Sequence, residues 1–272
     1  ATWGAFVNAA SVEVASARAN KGRGLRLLTG RVTSPTLGAQ IKALLADMPE
    51  ARWHQYESVH TDNSRAGAVQ AFGQPVNTYY DLTKADVVVS LDADLFEAGH
   101  AAVRQARDFM GRRTQQVRAG AASDSQLNRL YVAECSPTGT GSVADHRLAL
   151  DSGRIEALTA QLARDLGVSV AGSLPAFDDT TGWLAPLASD LQQHRGRSAI
   201  IVGEHQAPAV HALAHAINSA LGNIGHTVHL TDPLDAVSID QTGSLVELVN
   251  DMRRSEERRV GKECRSRWSP YH

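Results

Sequence analysis

The chain has 272 residues, with 27 lysines and arginines against 29 aspartates and glutamates, 43% hydrophobic residues and two cysteines. This near balance of charge gives no electrostatic case for nucleic acid as a partner, and no apolar run reaches the roughly 18 residues of a membrane-spanning helix. The cysteines are too few for a disulfide framework, and the length supports one large or two small α/β units around a sizeable core.

Residues 1–23 lack a basic segment followed by an apolar one, so they do not read as a signal peptide. They read as the remnant of a preceding segment, with a short strand or loop over 5–14. The globular pattern starts at Gly24. LRLLTG (25–30) predicts a strand, and 32–49 a helix with Ser34 as N-cap, Pro35 at the first helical position and Leu37, Ile41, Leu44 and Leu45 as its apolar stripe. Gly30 is the only glycine between them, so this loop is expected to be a simple turn and not a phosphate cradle. Residues 51–58 predict a strand anchored by Trp53, and 64–73 a short helix. His54, His60 and Asp62 are metal-ligand types, but a strand-then-loop spacing does not converge them, and no metal site is expected.

ADVVVSLDAD (85–94) has the apolar, β-branched run of a buried parallel strand and ends on Asp92 and Asp94. A helix is expected over 100–113, with Val103, Ala106 and Met110 facing the core. RLYVAE (129–134) predicts the next strand. It runs into CSPTGTGSVADHRLAL (135–150), a polar turn ahead of Ala144, Asp145 and a further apolar stretch. Strand, helix and strand separated by polar loops make a βαβ unit, whose ligands bind outside the carboxyl ends of the strands.

A helix over 154–167 leads into a stretch rich in Gly, Ser, Pro, Thr and Asp, and an internal boundary is expected at 151–183. Beyond it come a helix (184–194), a strand (198–203), a helix (204–223) closed by Gly222 and Asn223, a strand (226–232) and a helix opening at Ser244. His211 and His215 are four apart, but Ala212, Leu213 and Ala214 lie between them. The general-base glutamate of a zinc-peptidase helix is missing, and the pair reads as a polar helix edge. No Gly-x-Ser-x-Gly and no recognisable acid–base pair of carboxylates is present, so neither catalytic residues nor metal ligands are expected.

The order ADVVV, L, A and FE, followed about forty residues later by LYV, E, PT, TG and ADHRL, resembles the molybdopterin-binding α/β domain of the dimethyl sulfoxide reductase superfamily. More narrowly it is similar to the molybdopterin-oxidoreductase-like, iron-sulfur subunit of alternative complex III, a quinol-oxidising respiratory complex. The resemblance implies two Rossmann-like lobes with doubly wound, mainly parallel sheets: one over 24–150, a connector over 151–183, and a second, incomplete lobe over 184–253. In active members of the superfamily the two strand-end loops approach the pyranopterin dinucleotide. Here the matching positions are Asp92, Asp94, Cys135, Ser136, Thr138, Thr140 and Asp145. Two acids would lie where the pyrophosphate lies, and no arginine follows the second strand. Like charges oppose binding, so the pocket is expected to be vestigial and to bind no cofactor. An alternative is that Asp92 and Asp94 cap the following helix.

The resemblance further implies electron transfer through 4Fe-4S and 3Fe-4S clusters of a later ferredoxin-like domain. It implies partner subunits of a membrane complex, and a location on the periplasmic face of the bacterial cytoplasmic membrane. The charged run 254–272 has no apolar period and resembles the translated read-through of a sequencing adapter, so it is set outside the fold. That run holds six basic and three acidic side chains; the other 253 residues carry 21 basic and 26 acidic groups, a net of −5. Without Cys264 in that run, Cys135 stands alone as an ordinary turn thiol, unable to hold a cluster by itself. Two other readings stay open: the catalytic subunit of an active molybdopterin oxidoreductase such as a polysulfide reductase, and a stand-alone α/β interaction domain.

Overall fold

The structure is a computed structural model that describes residues 2–99, 101–120, 127–169 and 176–253. Its elements begin with α1 (Trp3–Ala19), β1 (Arg26–Thr29), α2 (Pro35–Asp47), β2 (Arg52–Gln55), α3 (Asp62–Phe72) and β3 (Asn77–Tyr80). Next come β4 (Val87–Leu91), α4 (Ala102–Arg118), β5 (Arg129–Glu134), α5 (Gly139–Ser142) and β6 (His146–Ala149). The chain continues through α6 (Ile155–Asp165), α7 (Leu184–Gln193), β7 (Ser198–Val202), α8 (Pro208–Ala220), β8 (Val228–Thr231) and α9 (Gln241–Arg253). Of the described residues, those up to Asp62 and those from Leu234 to Arg253 gather into one unit, and those within Asn63–Pro233 into another.

In the first unit β1 and β2 pair in parallel, Arg26 opposite Arg52 and Thr29 opposite Gln55. Helix α9 packs on β2. Arg26 Nε meets Asp251 Oδ2 at 2.7 Å with both side chains buried, and the buried His54 Nδ1 lies 3.1 Å from the Ser244 carbonyl. Asp62 accepts from the amides of Gln241 (3.1 Å) and Thr242 (3.0 Å) at the start of α9. Burial pushes the Asp62 carboxyl up, but those amides and His60 outweigh it and hold it below its ordinary value. The Ser34 cap forms as the sequence predicts, its hydroxyl accepting from the Leu37 amide at 3.3 Å. The strand or loop expected over 5–14 is instead the middle of α1, which is capped by Thr2 and buries none of its residues. Its alanine-rich sequence favours helix by propensity without an apolar stripe to signal it.

The second unit is organised by β4, buried at all five positions. Its odd and even residues point to opposite faces. Val87, Val89 and Leu91 join Ile155, Leu158 and Leu162 of α6, Leu187 and Leu191 of α7, and Val210 and Ile217 of α8 in one core. Val88 joins Leu130, Val132, Ala199, Ile201, Phe109 of α4 and Val228 of β8 in the other. The sheet runs β6-β5-β4-β7 with every pair parallel, so it is doubly wound, with helices on both faces as in a Rossmann-like arrangement. A separate antiparallel pair, β3 with β8, sets Tyr80 opposite Val228; the sequence reading missed β3.

Two expectations are corrected here. The boundary at 151–183 does not separate two lobes, because β7 hydrogen-bonds along the whole of β4, Val87 opposite Ser198 to Leu91 opposite Val202. Residues 184–233 therefore belong to the same unit as 63–150, and 234–253 pack with the amino-terminal segment. The core face of α4 is also not the one expected. Val103 is 86% exposed, while Ala102, Gln105, Asp108 and Phe109 are buried. Phe109 offers the largest apolar area on the helix and sets its rotation, placing Arg104 over the Tyr79 ring at 4.0 Å. His100, the expected start of this helix, lies outside the described residues. The interior of the first unit's helix α2 agrees better with expectation, with Ile41 buried but Leu37 exposed.

The rotation of α4 is testable by urea unfolding. Phe109→Ala is expected to cost about 3–5 kcal/mol, and Val103→Glu to stay within about 0.5 kcal/mol of the parent. Equal losses would return Val103 to the core.

Candidate functional site

From β4 the chain steps to β5 and then β6 on one side, and returns to add β7 on the other side of β4. The strand order reverses between β4 and β7, and this is where an open parallel sheet presents its crevice, beyond the carboxyl ends of those strands. Asp92 follows β4 directly. It adopts φ +54°, a left-handed conformation that aspartate tolerates better than most side chains. Gly203 follows β7, its amide bonded to the Leu91 carbonyl at 2.9 Å. A Cβ on Gly203 would overlap the Asp92 carbonyl oxygen, so glycine is what lets the two turns close on each other.

The Asp92 carboxylate gathers the polar groups of three turns. Its Oδ1 accepts from the Cys135 amide after β5 at 3.3 Å. Its Oδ2 accepts from Ser152 Oγ at 2.5 Å, from Gln206 Nε2 at 2.8 Å and from His205 Nε2 at 2.8 Å. Burial would raise the Asp92 carboxyl, but these four bonds outweigh it and lower it from its ordinary value. Gln206 Nε2 also reaches Ser152 Oγ at 2.7 Å.

Beside it lies a second cluster. Asp94 Oδ1 accepts from Thr140 Oγ1 (2.6 Å) and the Thr140 amide (3.3 Å), at the start of α5. Glu134, buried at the end of β5, accepts from Thr138 Oγ1 at 2.7 Å and from Arg147 Nε at 2.6 Å. A Cβ on Gly141 would overlap the Glu134 carboxylate, so this short helix can approach Glu134 only with glycine there. The donors of both turns thus end on the protein's own carboxylates. A phosphate placed here would meet Asp92, Asp94 and Glu134 at short range, which like-charge repulsion opposes.

Most of the positions singled out from sequence come together: Asp92, Asp94, Thr138, Thr140 and the Cys135 amide all border this carboxyl end. The side chains of Cys135 and Ser136 are exposed, with the thiol 3.9 Å from Ser136 Oγ. Asp145 does not belong with them. It precedes β6, at the opposite edge of the sheet, where it accepts from Arg113 Nη2 at 2.6 Å and the Leu130 amide at 2.8 Å. Nor do the aspartates cap the following helix, since α4 has Ala101 at its N-cap position without a side-chain cap. Sequence reading missed Ser152, His205, Gln206 and the role of Glu134. The glycine after β7 followed by Glu204, His205 and Gln206 was the available signal. Among the described residues no group of three or more His, Cys, Asp or Glu side chains could hold a metal ion.

Charge is segregated along the strands. The amino edge holds arginines with partners: Arg112 and Arg197 on Asp86, Arg113 on Asp145, and Arg129 in a two-point contact with Asp190 at 2.7 and 2.6 Å. At the carboxyl edge Arg147 pairs with Glu134, while Asp92 and Asp94 are bonded to hydroxyls, amides and His205.

His211 and His215 of α8 are buried and not a polar edge. Burial pushes both imidazoles down to about 4, aided at His211 by the charge of His215. The Phe72 ring lies edge-on to His215, with centroids 5.0 Å apart.

No family model matches the chain, and no curated protein matches it. Two solved structures are similar in fold. One is the formyltransferase/hydrolase complex from Methylorubrum extorquens in complex with methylofuran, at 14% identity and TM-score 0.50, covering 77% of this chain and 54% of that one. The other is acetylene hydratase from Pelobacter acetylenicus, at 13% identity and TM-score 0.52, covering 86% of this chain and 34% of that one. The chain thus spans about half of the first and about a third of the second. The likeness shows the fold: α/β, with parallel strands in a Rossmann-like arrangement, as in these enzymes. No helix among the described residues is long and apolar enough to cross a membrane.

Two expectations about pH follow. The lowered Asp92 carboxyl contributes stability that is present above about pH 4 and lost as pH falls through its folded value. Asp92→Asn should therefore cost about 1–2 kcal/mol in urea unfolding at pH 7, a difference that shrinks at pH 3. The two histidines act in a different window. Neutral when folded and protonated when unfolded below about pH 6.5, they lower stability as pH falls from 6.5 toward 4, by up to about 3 kcal/mol each. The urea midpoint of His215→Phe should fall less than that of the parent across that range; parallel curves would refute it.

Proposed function

We propose that the chain is a scaffold lobe of the molybdopterin-oxidoreductase-like, iron-sulfur subunit of alternative complex III, with a vestigial cofactor pocket. The observation that carries this reading is the switch-point crevice, where the donors a dinucleotide would use are spent on Asp92, Asp94 and Glu134. Three acids that already hold the hydroxyl and amide donors of these turns oppose an anionic pyrophosphate by like charge. The sequence pattern at 85–150, the doubly wound sheet and the fold likeness to enzymes support the same reading.

On this reading quinol oxidation belongs to the parent complex at the periplasmic face of the bacterial cytoplasmic membrane, and other subunits of that complex are the partners. Electrons travel through 4Fe-4S and 3Fe-4S clusters of a ferredoxin-like domain in the parent subunit. The lobe supplies a rigid α/β platform for that domain and takes no part in the redox chemistry.

The test is metal analysis of the complete subunit, purified with its partners from its own host. Iron in cluster stoichiometry without molybdenum is expected. Stoichiometric molybdenum would overturn the proposal and make the chain part of an active molybdopterin oxidoreductase, while a subunit that purifies alone and holds neither metal would favour an interaction domain.

A further inference from the structure

The carboxylate that closes the crevice does something else to an exposed imidazole beside it. His205 meets Asp92 Oδ2 through Nε2 at 2.8 Å, and while the Asp92 side chain is 6% exposed, that of His205 is 61% exposed. An ionised carboxylate only accepts hydrogen bonds, so the imidazole nitrogen facing it must carry the proton. That leaves the lone pair on Nδ1, for which no partner is found among the described residues. A buried carboxylate that fixes the tautomer of an imidazole, with the other nitrogen open to solvent, is the arrangement of a proton-accepting dyad.

The rest of the crevice holds this dyad still. Asp92 cannot turn away without breaking its bonds to Ser152, Gln206 and the Cys135 amide. The turn that carries His205 is pinned by the Gly203 amide on the Leu91 carbonyl and by the Gln206 amide on the Gly203 carbonyl at 3.0 Å. Among the described residues Asp92 bonds His205, Glu204 precedes it in the chain and accepts from Ser64 Oγ at 2.5 Å, and His211 of α8 feels its charge.

We propose that Asp92 and His205 form a general-base site at the mouth of the switch-point crevice, directed at a small molecule that presents an O–H or S–H group. In the step, the ligand's X–H bond breaks and an Nδ1–H bond forms. The imidazole becomes imidazolium, Asp92 stays ionised and balances it, and the electron pair remains on oxygen or sulfur; nothing is oxidised or reduced. His205 is the group that touches the ligand, and Asp92 is a positioning residue. The inference does not rest on the scaffold reading, because it concerns proton transfer at a surface imidazole and needs no cofactor.

Two measurements on the full chain test it. Long-range ¹H–¹⁵N correlation spectra of the unmodified protein at pH 8 report the His205 tautomer. The Nε2–H form is expected, and an Nδ1–H form or an even mixture would overturn the proposal whatever any variant does. The second uses p-nitrophenyl acetate, with water as the O–H donor: water's oxygen bonds to the acyl carbon, its proton passes to Nδ1, and p-nitrophenolate leaves. The enzyme-dependent rate should fall roughly tenfold in His205→Ala, an exposed position, and by a similar factor in Asp92→Asn, in line with general-base contributions. In Asp92→Asn the tautomer should become mixed, and the parent reaction should slow about two-fold or more in D₂O, as proton transfer in the rate-limiting step requires. Equal rates in the parent and His205→Ala, or no solvent isotope effect, would overturn it. Metal content of the parent complex bears on the scaffold reading alone, so the two proposals fail separately.

Discussion

A strand without a polar face has to be central, and the second unit follows from that constraint on β4. Val87–Leu91 leaves no residue that solvent can satisfy, so the strand needs a neighbour on each edge and helices over each face. Those requirements bring in β5 and β7 as partners and assign α6, α7 and α8 to one side and α4 to the other. Because the chain must cross from β6 past β4 to reach β7, the order of strands reverses there. The crevice is therefore a product of topology before any functional residue is chosen.

What fills the crevice decides its chemistry. Backbone amides and hydroxyls at strand ends are donors in search of acceptors, and a bound anion is one way to satisfy them. This chain satisfies them internally, with Asp92 collecting the turns after β5, β6 and β7, and with Asp94 and Glu134 collecting the start of α5. Arg112, Arg113 and Arg129 are at the other edge of the sheet, bound to Asp86, Asp145 and Asp190, and Arg147 at this edge is held by Glu134. The same carboxylate that removes one kind of ligand site also orients His205, whose side chain is exposed.

The legible parts of the fold were those set by local physics. β4 and β5 were readable because a continuous β-branched run with polar ends has few other solutions, and the Ser34–Pro35 start of α2 because capping chemistry is local. Long-range facts were not readable. Nothing in SAIIV says that its partner is β4, more than a hundred residues earlier, so the chain was divided at 151–183 where the sheet is continuous. In α4 the 3–4 spacing of Val103, Ala106 and Met110 was real but competed with Phe109, whose greater area prevailed. At the site, the strand-end aspartates could be placed in a crevice from the βαβ pattern. Asp145 could not be told apart from them, because an Ala-Asp pair after a turn does not reveal that the next strand starts at the far edge. His205 and Gln206 were invisible as partners of Asp92 since their strand had been assigned to another lobe.

The buried asparagines of α8 and the turn after it have a bearing on how the sheet can grow. Asn218 both accepts from the Ile200 amide (3.0 Å) and donates to the Ile200 carbonyl (2.9 Å), Asn223 Oδ1 accepts from Ser198 Oγ at 3.1 Å, and Thr227 Oγ1 donates to the Ser198 carbonyl at 2.5 Å. These side chains imitate a fifth strand along the outer margin of β7 and occupy the groups that an added strand would need. At Ser198 and Ile200 an added strand would therefore have to displace bonds already made, so the helix and turn that follow β7 also guard its outer margin.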